Sequence, residues 1–163
     1  MTTNANAALR GGSICFGKPG LTAGTTTTYT TGANFNYSIR GQMLTETAAS
    51  NAASPTTDIV TGAAFLALTA DRCCVFVFCV DSAGTVSVAQ GPIATLSEVT
   101  GKLAAVHFPE IPSSLCPFGY LYAQGGTTVV GTWTFGTNNL SGVTGMTYTF
   151  RDLAILPASP ITA

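Results

Sequence analysis

The stretch Asp71-Arg72-Cys73-Cys74-Val75-Phe76-Val77-Phe78-Cys79-Val80-Asp81 decides how this chain is read. Charges bracket an unbroken apolar run that holds three of the five cysteines. Its β-branched and aromatic residues favour a strand. On a strand successive side chains point to opposite faces. Cys73, Val75, Val77 and Cys79 therefore share one face, and Cys74, Phe76, Phe78 and Val80 share the other. Both faces are apolar, so both are expected to be covered. In a small sandwich one cover is the core, and a neighbouring subunit is the natural candidate for the other. Cys73, Val75, Val77 and Cys79 are accordingly candidates for a subunit interface or for the centre of a sheet.

The same alternation argues against a metal. Cys73 and Cys79 lie about 20 Å apart at strand rise, and Cys74 points the other way. Three such sulfurs cannot converge on a zinc ion, whose bonds to sulfur are about 2.3 Å. No C-x-x-C occurs, and His107 is the single histidine. An odd number of cysteines, with no secretory signal in "MTTNANAALRGGSICFG", speaks against a disulfide framework. The thiols read as small buried hydrophobes.

Outward from this strand, Asp81-Ser82-Ala83-Gly84 supplies turn residues and Thr85–Ala89 alternates again, making Cys73–Ala89 the best hairpin in the chain. Phe35, Tyr37, Ile39, Gly41 and Met43 alternate with polar residues, which predicts one strand with one buried face. Residues 46–61 read as a long loop, and 63–80 as a strand pair or one bent strand. Thr95-Leu96-Ser97-Glu98 fits a capping box for a short helix, with Leu96, Val99 and Leu103 on one face and Glu98 spaced to pair with Lys102. Pro109, Pro112 and Pro117 forbid a regular ladder until about Phe118. Strands are then expected over 118–123, 127–135 and 146–156. Six to eight strands with almost no helix predict an all-β fold, an antiparallel sandwich or a jelly-roll-like barrel. Residues 1–34, rich in Thr, Ala, Gly and Asn, read as an extended arm ahead of a single body at 35–163.

Composition narrows the function. Charged residues make up only 8% of the 163, and the net charge is −1, against about 25% charged residues in an average domain. There is no basic face for nucleic acid, and no apolar run reaches the roughly 18 residues of a membrane-spanning helix. A charge-poor, near-neutral chain tends to associate, so a symmetric assembly is the expected setting, in the cytoplasm where the chain is made.

Catalytic constellations are hard to assemble. No serine sits in G-x-S-x-G, the carboxylates are scattered, and the glycine-containing segments match no phosphate loop. A thiol hydrolase built from Cys116 or Cys15 with His107 is the one enzyme reading, and it lacks a group to orient the base. No catalytic residue, cofactor or metal is expected.

In the C-terminal half, "FPEIPSSLCPFGYLYA", "TWTFGTNNLSG" and "YTFRDLAILPASP" form a layout that resembles virion structural proteins of tailed bacteriophages, most of all head decoration (cement) proteins. The resemblance runs from Phe108 to Pro160. It implies a non-enzymatic β-rich body, assembled in the bacterial cytoplasm and seated on the capsid exterior. There it would bind the major capsid protein, most simply as a trimer. It also implies an arm that grips the shell, for which Phe16, Leu21 and Tyr29 are the candidate anchors. The competing reading is a tail-fibre or spike module for host recognition.

Overall fold

The computed structural model describes residues 12–129 and 131–156. The apolar run forms β7 (Arg72–Val80), and β8 (Val86–Gln90) returns along it with Val80 opposite Val86. The Asp81 carboxylate makes the turn by accepting the N–H groups of Ala83 and Thr85 at 2.8 and 2.9 Å. On the other side β7 pairs with β10 (Cys116–Gly125), which in turn pairs with β11 (Met146–Asp152). The main sheet runs β11-β10-β7-β8, and short β9 (Ala94–Thr95) pairs with the start of β7. Pro117 lies inside β10 at a shift of register between Pro117 and Gly119, a site where a missing N–H is tolerated.

Two smaller sheets complete the layers. One has the order β1 (Ile14–Cys15), β4 (Phe35–Ile39), β5 (Gln42–Glu46). The other has the order β2 (Leu21–Ala23), β3 (Thr28–Thr31), β6 (Ala52–Ala53). The paired strands are antiparallel throughout, and the fold is an all-β sandwich of packed sheets. The single strand expected from Phe35 to Met43 is instead the β4–β5 hairpin. Arg40 and Gly41 both take positive φ, 51° and 83°, as a two-residue hairpin loop of type I′ requires.

The main core lies between the sheets. Cys74, Phe76, Phe78 and Val80 contribute one face of β7 to it, with Phe118, Leu121, Trp133, Phe135 and Leu140. Phe76 and Phe135 stack at 5.0 Å, and Phe65 meets Phe135 edge-on at 5.0 Å. Trp133 is satisfied inside this core because its indole N–H donates to the Asn139 carbonyl at 2.8 Å. Instead of the strand expected over 127–135, a bridge between Leu68 and Trp133 holds this part of the chain in place.

The arm is a correction for residues 12–34. They build β1, β2 and β3, and Cys15, Leu21 and Tyr29 are buried in the main core. Tyr29 packs edge-on against Phe78 at 5.4 Å. The Asp152 carboxylate holds the amides of Gly20 and Leu21 at 3.1 and 2.9 Å. A few large apolar residues spaced among threonines suffice for short strands once a larger core receives them. The domain boundary at 34/35 therefore does not separate arm from body. The part of the expected arm at 1–11 lies outside the described residues.

The second face of β7 is covered from within the chain. Cys73, Val75, Val77 and Cys79 are fully buried within the single chain, under Val106, Leu115 and Leu153, with Leu96, Val99, Phe108 and Ile111 at the margin. Of the two roles expected for this face, the structure assigns the sheet centre. Prolines keep 109–112 out of any ladder, leaving that segment free to lie across the sheet, and Phe108 meets Tyr120 edge-on at 5.3 Å.

Helix α1 (Leu96–Thr100) belongs to the same cover. The Thr95 side chain makes no capping bond. The Asp71 carboxylate does so instead, accepting from the backbone N–H and the hydroxyl of Ser97 at 2.8 and 2.7 Å. Leu96 and Val99 pack inward, whereas Leu103 is 85% exposed, so the expected three-residue face loses its third member.

Candidate interaction surface

The thiols carry the nucleophilic chemistry that the sequence suggested. All five are free and buried. Loss of solvent raises the pKa of each, and pushes Cys74 and Cys116 up to about 12. At neutral pH they are protonated donors: Cys74 gives its S–H to the Gly91 carbonyl at 3.0 Å, and Cys15 to the Gly17 carbonyl at 3.6 Å. Cys116 faces the main core, while the residues flanking the exposed His107, Val106 and Phe108, pack on the other side of the main sheet. The sheet separates the sulfur from the imidazole. Among the described residues, no three His, Cys, Asp or Glu side chains come together where a metal ion could sit.

The carboxylates hold backbone in place. Asp71 caps α1, Asp81 builds the β7–β8 turn and Asp152 pins β2. Sequence reading missed Asp58, which is only 5% exposed. Its oxygens accept from the backbone N–H groups of Val60, Thr61 and Gln90 and from the Thr61 hydroxyl, at 2.8 to 3.3 Å. The signal was present in the local pattern, an Asp followed three residues later by Thr at the head of a turn.

What Asp58 positions is a surface. Its turn presents Ile59 and Val60 outward, and the next large exposed apolar residue, Leu66, is 66% exposed. Gln90 fixes Leu66 by accepting its N–H at 2.7 Å and donating to its carbonyl at 3.0 Å. Asp58, Val60, Leu66 and Gln90 border a groove of about 540 Å³ lined also by Ala63, Pro92 and Ile93. A second groove, of about 610 Å³, is lined by Phe108, Ile111, Leu115, Pro117 and Leu156. Pro109 and Glu110 line both, so the two form one strip astride the proline-rich segment. Asp58 and Glu110 are the titratable groups lining it, and the Asp58 carboxylate is already engaged with Val60, Thr61 and Gln90.

The chain matches no family model, no curated protein and no solved structure. The strip offers apolar contact area beside the exposed Glu110.

The three proposed anchors divide. Phe16 is 57% exposed and available for contact, while Leu21 and Tyr29 are core residues and present no side chain to a partner. Trp133, buried under Phe76 and Tyr148, offers no aromatic platform for a sugar.

Proposed function

We propose that this chain is a non-enzymatic virion structural protein, a capsid decoration or cement protein that binds the phage head shell as a symmetric oligomer. The observation that carries the reading is the apolar strip astride Pro109–Glu110, on a chain with only 8% charged residues. Such a surface adds buried area when it meets a partner, and apolar burial stabilises by about 25 cal/mol per Å² before the costs of association. Buried, protonated thiols suit a chain that assembles in a reducing cytoplasm. The resemblance of the segment from Phe108 to Pro160 to decoration proteins supports the same assignment, with the major capsid protein as partner and a trimer as the expected form.

With Leu21 and Tyr29 in the core, attachment passes to the strip and to Phe16. The test is to add purified protein to empty shells and follow the temperature at which they lose integrity. The native chain should raise it, and Leu66→Asp should bind at least about fivefold more weakly, since it puts a charge into an apolar contact. Failure of the native protein to bind shells would overturn the reading.

A further inference from the structure

Strand β11 ends the main sheet, and its backbone pattern fixes what its open edge can receive. In an antiparallel ladder, directly opposed residues exchange both backbone bonds at every second position, and the residues between point their groups away. The Leu153 N–H donates to the Phe118 carbonyl at 2.9 Å, one step beyond the pair Gly119–Asp152. Leu153, Arg151, Thr149 and Thr147 thus turn toward β10. Phe150 and Tyr148 direct their N–H and C=O outward, and no backbone group among the described residues meets them there. The edge is closed at one end, where the Asp152 carboxylate binds β2, and at the other, where the Met146 N–H donates to Val143. Neither proline nor lysine interrupts Met146–Asp152, although these are the usual protections of such an edge.

The geometry points to a second copy of this chain as the occupant, its own β11 added antiparallel about a two-fold axis at Thr149. In that register Tyr148 lies opposite the partner's Phe150, and Phe150 opposite the partner's Tyr148. The N–H groups of Tyr148 and Phe150 in both strands then find carbonyls. Thr147 faces the partner's Arg151, so no like charges meet. Sliding the strands two residues toward the C-terminus sets Phe150 against itself and Tyr148 against the partner's Asp152, which runs into the closed Asp152 end. Sliding the other way carries the pairing into the turn at Gly145. Tyr148 and Phe150 are half-buried against the main core, and each would gain the other copy's ring as a cross-strand neighbour. The two main sheets become one continuous sheet across the axis.

This two-fold association is separate from shell binding and from the three-fold contacts of the expected trimer. The central Thr149 pair is a non-hydrogen-bonded one, with Cα atoms about 4.5 Å apart, within the span of a disulfide. Under mild oxidation Thr149→Cys should cross-link two chains, while Thr147→Cys, opposite the partner's Arg151, should not. Thr149→Asp and Thr149→Lys should each keep the native circular dichroism yet dimerise about fivefold more weakly or worse, and mixing them should restore the dimer. A native chain that sediments as a monomer at every soluble concentration would overturn the inference. So would equal cross-linking at 147 and 149, or failure of the Asp and Lys variants to pair. Shell binding by an oligomer that does not cross-link at position 149 would leave the proposed function intact and remove only this contact.

Discussion

A thiol in water and a thiol in this core differ mainly in the energy of the thiolate, and that difference sets the protein's behaviour in alkali. Burial raises Cys74 from 9.0 to about 12. The unfolded chain releases this proton near pH 9 while the folded chain keeps it, so the native state binds more protons and stability falls as pH rises through that window. The loss is roughly 1.4 kcal/mol per pH unit for such a thiol. The melting temperature should therefore drop steeply from pH 9 to pH 11, and Cys74→Ala should flatten the drop at the expense of lower stability at pH 7. An identical slope in that variant would contradict the account. The same burial predicts that a thiol-specific disulfide reagent at pH 7.5 modifies none of the five sulfurs in the folded protein and all five in denaturant. The clustered cysteines were legible in the sequence as packing residues, because a strand's two-residue period sends neighbours to opposite faces whatever the tertiary fold.

Among the elements, the β7–β8 hairpin could be read directly, since Asp81 to Gly84 is turn chemistry between two β-forming runs. The β4–β5 hairpin could not. Its turn is Arg40-Gly41, and Arg seldom occupies a positive-φ position, so the alternation read straight through it. The capping of α1 was half legible: the helix start was visible at Thr95, but the cap comes from Asp71, 26 residues away from Ser97, and no local pattern carries it. Loops here hold the core as firmly as strands do. Gly136 takes φ 73° with the Pro55 carbonyl directly against the place a Cβ would occupy. Gly136→Ala should cost more than about 2 kcal/mol, because it adds a backbone clash to the left-handed penalty. Urea denaturation measures this, and a loss under about 1 kcal/mol, the range of the conformational penalty alone, would show that the loop yields.

For the whole molecule, the largest departure from the sequence reading is the place of residues 12–34. Their composition is that of a solvated segment, yet Leu21 and Tyr29 fill a core already supplied by residues almost the whole chain length away. Periodicity is a local signal and cannot report a long-range partner such as Asp152. Leu21→Ala should cost about 2 to 5 kcal/mol, and removing residues 1–34 should abolish cooperative unfolding. A folded, sharply melting truncated chain would restore the arm. The candidate site was less legible than the fold. Val60 and Leu66 have no distinguishing pattern, and they form a surface only because Asp58 and Gln90 hold two turns beside the proline-rich segment.

The position of β7 at the centre of its sheet has a consequence for the chain during its synthesis. Both long neighbours of β7 follow it in sequence, and the second, β10, ends only at Gly125. The segment that roofs its thiol face, around Val106 to Leu115, also emerges later. The most apolar stretch of the protein therefore leaves the ribosome well before its thiol face and its β10 edge can be sheltered. That edge and that face stay open and aggregation-prone through the translation of roughly 45 further residues, a few seconds at elongation rates of up to about 20 residues per second. Slowing elongation after Val80 should lower the soluble yield, and a holdase chaperone supplied during that interval should recover it.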